Sequence, residues 1–267
     1  MRVRKLEELF KKPIKDEIYY QSDNQLLLMG DSFELLKKLR TESVDLVFAD
    51  PPYFLSNGGV SNSGGRMVSV NKGDWDKGVT LKEKHAFNKK WLRIVKRVLK
   101  PNGTIFVSGT FHNIYSLGMA LEETGYKILN NITWQKTNPP PNLSTRYFTH
   151  STETILWARK DDKKSRHYFN YPLMKELNGD KQMKDVWTGG LTKPSEKTQG
   201  KHPTQKPKYL LERIILASTE EGDIILDPFT GSGTTNVVAK ELNRMSIGID
   251  NEENYLEIAK KRLEFVE

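Results

Sequence analysis

Val44-Asp45-Leu46-Val47-Phe48-Ala49-Asp50-Pro51-Pro52-Tyr53 reads as a buried strand that runs into an acid, a doubly constrained turn and an aromatic ring. Apolar and β-branched residues from Val44 to Ala49 suit a strand covered on both faces, as in a parallel sheet. Two consecutive prolines fix φ and withhold two backbone donors, so the turn is stiff and its carbonyls stay free to accept. A planar amine offers two N–H donors, which the Asp50 carboxylate and the Pro51 carbonyl can take while Tyr53 stacks on the ring that carries it. A plain strand followed by a Pro-Pro turn is the competing reading of the same residues.

Near the other end of the chain, Asp223-Ile224-Ile225-Leu226-Asp227 leads into Pro228-Phe229-Thr230-Gly231-Ser232-Gly233-Thr234-Thr235. This is a strand, a glycine turn and a helix start. Gly231 and Gly233 permit positive φ and close approach of a ligand, and Thr234 or Thr235 can cap a helix continuing from Asn236 to Leu242. Roughly twenty residues after Gly231, the short strand Ser246 to Ile249 ends in Asp250, where a Rossmann-like unit keeps a carboxylate for ribose hydroxyls. No lysine follows Gly233, which disfavours a phosphate-cradling P-loop, and the third glycine of a dinucleotide fingerprint is missing. Asp227 at the strand tip would repel a pyrophosphate and attract an ammonium or sulfonium, and S-adenosylmethionine carries both. A glycine turn between a strand and a helix also occurs in α/β proteins for structural reasons alone.

Between these segments, apolar runs predict strands at Leu26 to Met29, Val44 to Ala49, Thr104 to Ser108, Ile128 to Gln135, Thr152 to Ala158, Ile224 to Asp227 and Ser246 to Ile249. Helical spacing falls at Phe87 to Leu99, stopped by Pro101-Asn102-Gly103, and at Ile114 to Glu123, Tyr209 to Ser218 and Tyr255 to Val266. Leu6, Leu9 and Phe10 suit one apolar stripe of a short docked helix. Alternating strands and helices predict an α/β, mostly parallel, three-layer sheet with ligands outside the carboxyl ends of its strands. Asp31, Asp50, Asp227 and Asp250 all stand at such ends, a repetition that a purely structural sheet does not need.

The Asp-Pro-Pro-Tyr motif followed, later in the chain, by Asp-Pro-Phe-x-Gly-x-Gly-Thr-Thr resembles the β class of DNA amino-methyltransferases, whose motif order is circularly permuted. His202-Pro203-Thr204-Gln205-Lys206-Pro207 resembles that family's cofactor-lining segment, and His150-Ser151-Thr152-Glu153-Thr154-Ile155-Leu156-Trp157 a late strand of its sheet. The match runs from about Leu26 to Ile258 and is closest to adenine methyltransferases of restriction-modification systems that protect GATC. This resemblance implies a Rossmann-like, S-adenosylmethionine-dependent fold with a seven-stranded, mostly parallel sheet, and methyl transfer to N6 of adenine. It assigns Asp50, Pro51, Pro52 and Tyr53 to catalysis on a flipped base. It places Asp31, His202, Thr204, Asp227, Phe229, Gly231, Ser232, Gly233, Thr234 and Asp250 around S-adenosylmethionine. For Asp31 a turn and helix cap is the competing reading. Cytosine-N4 transfer is the nearest chemical alternative, although relatives that act on cytosine usually begin the motif with Ser. A catalytically silent DNA-binding module and a nicotinamide oxidoreductase are alternatives of other classes.

The chain has 267 residues and no cysteine, so no disulfide contributes and the covalent route to carbon-5 of cytosine is excluded. The histidines show no metal-ligand spacing, and no metal is expected. No apolar run approaches a membrane span and the N-terminus lacks a signal-peptide core, so a cytoplasmic protein is expected. A net charge of +8 favours a polyanion, and between Lys163 and Lys201 nine Lys or Arg face four acids. His167, Tyr168, Phe169, Tyr171 and Trp187 are interleaved there. The pattern suits phosphate contact and base stacking, or else a solvated insertion with a small local core. We therefore expect one domain over residues 1–267, a catalytic-side loop over 54–76, and a target-recognition insertion over 160–201. Duplex or single-stranded DNA is the expected partner, Lys136 to Thr149 an extended rim beside it, and a homodimer an expectation carried by the resemblance.

Overall fold

Alternating side chains decide how the strands are covered. In the computed structural model, which describes residues 5–54, 60–63, 66–69, 80–162 and 165–266, Leu46 and Phe48 enter one core and Val47 and Ala49 another. Leu26 and Leu28 likewise face away from Leu27, as the period of two in a strand requires. Both faces of the sheet therefore need a layer of helices.

The elements in chain order are β1 (Ile18–Gln21), β2 (Gln25–Met29), α1 (Ser32–Lys38), β3 (Val44–Ala49), β4 (Val60–Ser63) and β5 (Arg66–Ser69). There follow α2 (Leu81–Val98), β6 (Leu99–Gly109), α3 (Ile114–Glu123), β7 (Tyr126–Lys136), β8 (Thr152–Lys160), α4 (Tyr171–Leu177) and β9 (Val186–Gly189). The chain closes with α5 (Lys208–Ser218), β10 (Ile224–Asp227), α6 (Thr234–Glu241), β11 (Met245–Asp250) and α7 (Glu253–Phe265).

Nine strands form one sheet in the order β1-β2-β11-β10-β3-β6-β8-β7-β9, and β4 pairs only with β5. From β2 to β6 all neighbours are parallel, whereas β8 runs antiparallel to β6 and β7. Leu35, Leu36, Trp91, Leu92, Leu117 and Leu121 from α1, α2 and α3 pack on one face. Leu210, Leu211, Ile214, Ile215 and Val238 from α5 and α6 pack on the other. A short 3-10 turn at Leu6–Leu9 buries Leu6, Leu9 and the following Phe10 against the first of these cores.

The seven predicted strands are present, and two short edge strands add to them. Ile18–Gln21 and Val186–Gly189 are only four residues long, too short for either to show a period in the sequence. Helix α2 starts at Leu81 rather than Phe87, where Thr80 and Glu83 form a capping box. Pro101-Asn102-Gly103 lies inside β6, at a register shift between the Leu99 and Thr104 pairings with β3. A Cβ on Gly103 would stand 2.6 Å from the Asp45 carbonyl oxygen, so this bulge needs a glycine. Most of the predicted loop over 54–76 lies outside the described residues. Among those described, no helix is long and apolar enough to cross a membrane.

Candidate active site

Parallel pairing brings the carboxyl ends of β2, β11, β10 and β3 to one edge, and with them Asp31, Asp250, Asp227 and Asp50 in that order. A cavity opens there. Of the residues singled out in the sequence, Asp50, Pro52, His202, Thr204, Asp227, Phe229, Gly231, Ser232, Thr234 and Asp250 line it. Pro51, Tyr53, Gly233 and Asp31 do not.

Asp31 instead caps α1. Its Oδ1 accepts the Glu34 backbone N–H at 3.0 Å, and the adjacent Ser32 reaches the cavity and donates to the Pro228 carbonyl at 2.5 Å. A short acid just before a helix satisfies an orphan N–H more readily than it reaches a ligand. Gly233 turns away as well, since a Cβ there would stand 2.6 Å from the Ala259 Cβ of α7, whereas one on Gly231 would stand 3.0 Å from His202 Nε2. Both glycines have positive φ, +50° at Gly231 and +71° at Gly233.

Asp227 and Asp250 brace this loop. Thr235 Oγ1 and the Phe229 N–H donate to the two oxygens of Asp227 at 2.5 and 3.1 Å, and the Gly231 and Glu252 N–H groups donate to those of Asp250 at 2.8 and 3.0 Å. Burial pushes the Asp227 carboxyl up to about 7, with Asp50 and Asp250 adding to the rise against these hydrogen bonds. Asp250 is raised for the same leading reason. Phe229 stands edge-on to Trp91 at 5.5 Å, and His202 edge-on to Tyr255 at 4.3 Å, which gives the cavity aromatic walls. From α7, the buried Arg262 donates to the Ser232 carbonyl at 2.7 Å and to Thr234 Oγ1 at 2.9 Å. Arg262 was not legible as a site residue, because it arrives from a helix that carries no motif.

At the other corner the Asp50 carboxylate is already engaged on both oxygens. Tyr53 Oη donates to Oδ1 and Lys206 Nζ to Oδ2, each at 2.5 Å, and Lys206 also donates to Tyr53 Oη at 3.0 Å. Lys206 Nζ stands 3.5 Å from Glu153 Oε2, while Lys136 holds Glu153 Oε1 at 2.7 Å. Burial alone would lower the Lys206 pKa, yet Asp50, Tyr53 and Glu153 carry it well above the usual value. Glu153 has the reverse balance. Burial raises its carboxyl, but Lys206 and Lys136 hold it below the ordinary range. Asn113 Nδ2 donates to the Pro52 carbonyl at 3.1 Å and pins the turn. Tyr53 is only 7% exposed, so its ring is not the open platform that the sequence suggested.

Lys206 and Glu153 lie within the family-like segments 202–207 and 150–157, although no motif marks either as a site residue. The available signals were a lysine set between Pro203 and Pro207, and an acid inside an otherwise apolar strand. Within the basic, aromatic segment, Trp187 is buried beneath Arg213, while His167 and Phe169 pack against Trp157 and Phe169 stays 40% exposed. Tyr171 remains 42% exposed, and Tyr147 and Phe148 of the predicted rim are 59% and 96% exposed.

Comparison with known proteins places this geometry in context. The model of a family described as DNA methylase, N6_N4_Mtase, matches residues 44–261. The Type II methyltransferase M2.LlaDCHI of Lactococcus lactis subsp. cremoris is 73% identical over 245 residues, covering 92% of this chain and 91% of that one. The Type II methyltransferase M2.DpnII of Streptococcus pneumoniae is 72% identical over 246 residues, with 92% of each chain covered. Among solved structures, the M1.HpyAVI-SAM complex superposes with a TM-score of 0.67 at 31% identity, covering 90% of this chain and 98% of that one.

Proposed function

Because the chain belongs to the N6_N4_Mtase family of DNA methylases, we propose that it methylates N6 of adenine in GATC as the modification enzyme of a restriction-modification system. It is an S-adenosylmethionine-dependent, site-specific DNA methyltransferase. The family name covers both N6 and N4 amines. Asp50 as the first residue of its motif favours adenine.

The cavity fits the cofactor. Asp227 lines the cavity and, among the described residues, takes only the neutral donors of Phe229 and Thr235, so a ligand ammonium supplies the missing counter-charge. Backbone N–H groups of Gly231 and Glu252 hold the two Asp250 oxygens, and a carboxylate with about four acceptor sites keeps room for a ribose hydroxyl. Phe229, His202, Thr204, Gly231, Ser232 and Thr234 complete the cradle. S-adenosylmethionine supplies an electrophilic methyl group when bound. The chain's own task is to make the amine nucleophilic. Asp50 and the Pro51 carbonyl accept its N–H bonds and draw the nitrogen toward a tetrahedral shape, which frees the lone pair from the ring. The proton that nitrogen loses leaves along the bond that Asp50 accepts. Unstacking the base costs a few kcal/mol, offset by contacts in the pocket.

The single observation that carries this reading is a carboxylate on a proline-stiffened turn at the edge of the cavity that Asp227 and the glycine loop define. We expect labelled methyl transfer to yield N6-methyladenine in GATC oligonucleotides, single-stranded or duplex, and Asp50→Ala to lower the rate by about 10²–10³-fold. Product in cytosine, or a rate that survives Asp50→Ala, refutes it. Homodimerisation belongs to the same proposal, supported by the exposed Phe111, Tyr115 and Met119 on and beside α3. Sedimentation equilibrium showing only a monomer refutes that part.

A further inference from the structure

The Asp50 carboxylate meets a donor from the protein on each oxygen before any base is present. Asp50 Oδ2 must take an N–H from an incoming amine, yet the charged Lys206 Nζ already donates to it at 2.5 Å, and a charged donor outcompetes a neutral amine for the same carboxylate oxygen. An ammonium has three donors. Two of those on Lys206 serve Asp50 and Tyr53, and its nitrogen also pairs at 3.5 Å with Glu153 Oε2, an oxygen that no other donor holds among the described residues. Glu153 is itself buried, and its other oxygen is held by Lys136.

We propose that Lys206 is a positioning residue that alternates between two carboxylates: it holds Asp50 and Tyr53 together when no base is present, and moves onto Glu153 when the target amine arrives. Asp50 Oδ2 is thereby released as an acceptor. The move is short, and Lys206 is paired with a carboxylate at both ends of it. That matters energetically, since a buried charge stripped of its partner is strongly destabilising. Glu153 eases the exchange because its Oε2 already faces Lys206 and no other donor among the described residues holds it. Pro203 and Pro207 stiffen the segment that carries Lys206, so the side chain and not the backbone makes the shift. The inference rests on the reading of Asp50 as the amine acceptor.

The test uses the whole chain, saturating S-adenosylhomocysteine, and oligonucleotides with either adenine or purine at the target position, opposite an abasic residue. Purine lacks the amine, so the ratio of the two dissociation constants, read by fluorescence anisotropy, isolates the amine contact. We expect the native chain to favour adenine, and Glu153→Gln to lose about tenfold or more of that preference with unchanged affinity for purine. Lys206→Met added to Glu153→Gln should restore the preference, because the competitor for Asp50 is gone. Unchanged preference in Glu153→Gln overturns the proposal, as does a double variant worse than Glu153→Gln alone. If melting curves show that Lys206→Met does not fold, Lys206→Gln in the same background poses the same question. Loss of preference in Asp50→Ala with Glu153→Gln like the native chain removes only the exchange. Absence of any preference in the native chain removes the reading of Asp50 itself.

Discussion

Two aspartates stand at neighbouring strand ends of one cavity, and the fold treats them in opposite ways. Asp50, after β3, is met by a buried lysine and a tyrosine hydroxyl, so its corner is charge-complete before any ligand binds. Asp227, the last residue of β10, receives one hydroxyl and one backbone N–H, and burial pushes its carboxyl up to about 7. One corner already holds a cation; among the described residues the other meets only neutral donors. Burial thus has a different sense at each site, depending on whether the chain itself supplies the counter-charge.

The strongest way to break this comparison is Asp227→Asn. A carboxyl whose pKa is higher in the folded state than in the unfolded chain stabilises the fold only while protonated. Its contribution is complete below the ordinary value of 3.8 and is lost as pH rises through about 7. The ligand-free Asp227→Asn protein should therefore melt higher than the native chain at pH 8, by a difference on the order of a few kcal/mol, and converge with it near pH 4. Affinity for S-adenosylmethionine should fall in the same variant by about 10–100-fold, as calorimetry reads. In the native chain that affinity should weaken as pH drops below about 7, by up to about tenfold per unit. A pH-independent affinity would show that Asp227 does not face the cofactor's ammonium.

Gly233→Ala sharpens the contrast between the cradle and its support. The left-handed φ of 71° and the 2.6 Å approach to Ala259 predict a loss of about 1–3 kcal/mol in denaturant melts. Asp31→Ala should have the smallest effect, about 1 kcal/mol of stability from the lost cap, with cofactor affinity unchanged. A tenfold loss of affinity in that variant would return Asp31 to the cavity.

Both corners were legible to different depths. Asp227, Asp250, Gly231 and the Asp-Pro-Pro-Tyr turn are each local: a strand end, a glycine and a proline announce themselves within a few residues. The partners that set their electrostatics are not local. Lys206 reaches Asp50 across 156 positions of sequence, and Glu153 comes from a strand that runs antiparallel to β6. Short edge strands such as β9 escaped for a related reason, since their pairing with β7 is what makes them strands.

What the sequence determined alone was the identity of the strand ends and the chemistry placed on them. Backbone conformation and hydrophobic period are properties of neighbouring residues, and they survive without knowledge of the rest of the chain. Only the tertiary structure decided which of those acids is paired with a buried cation and which meets only neutral donors. Ionic balance depends on distance and burial, and both exist only once remote segments have packed.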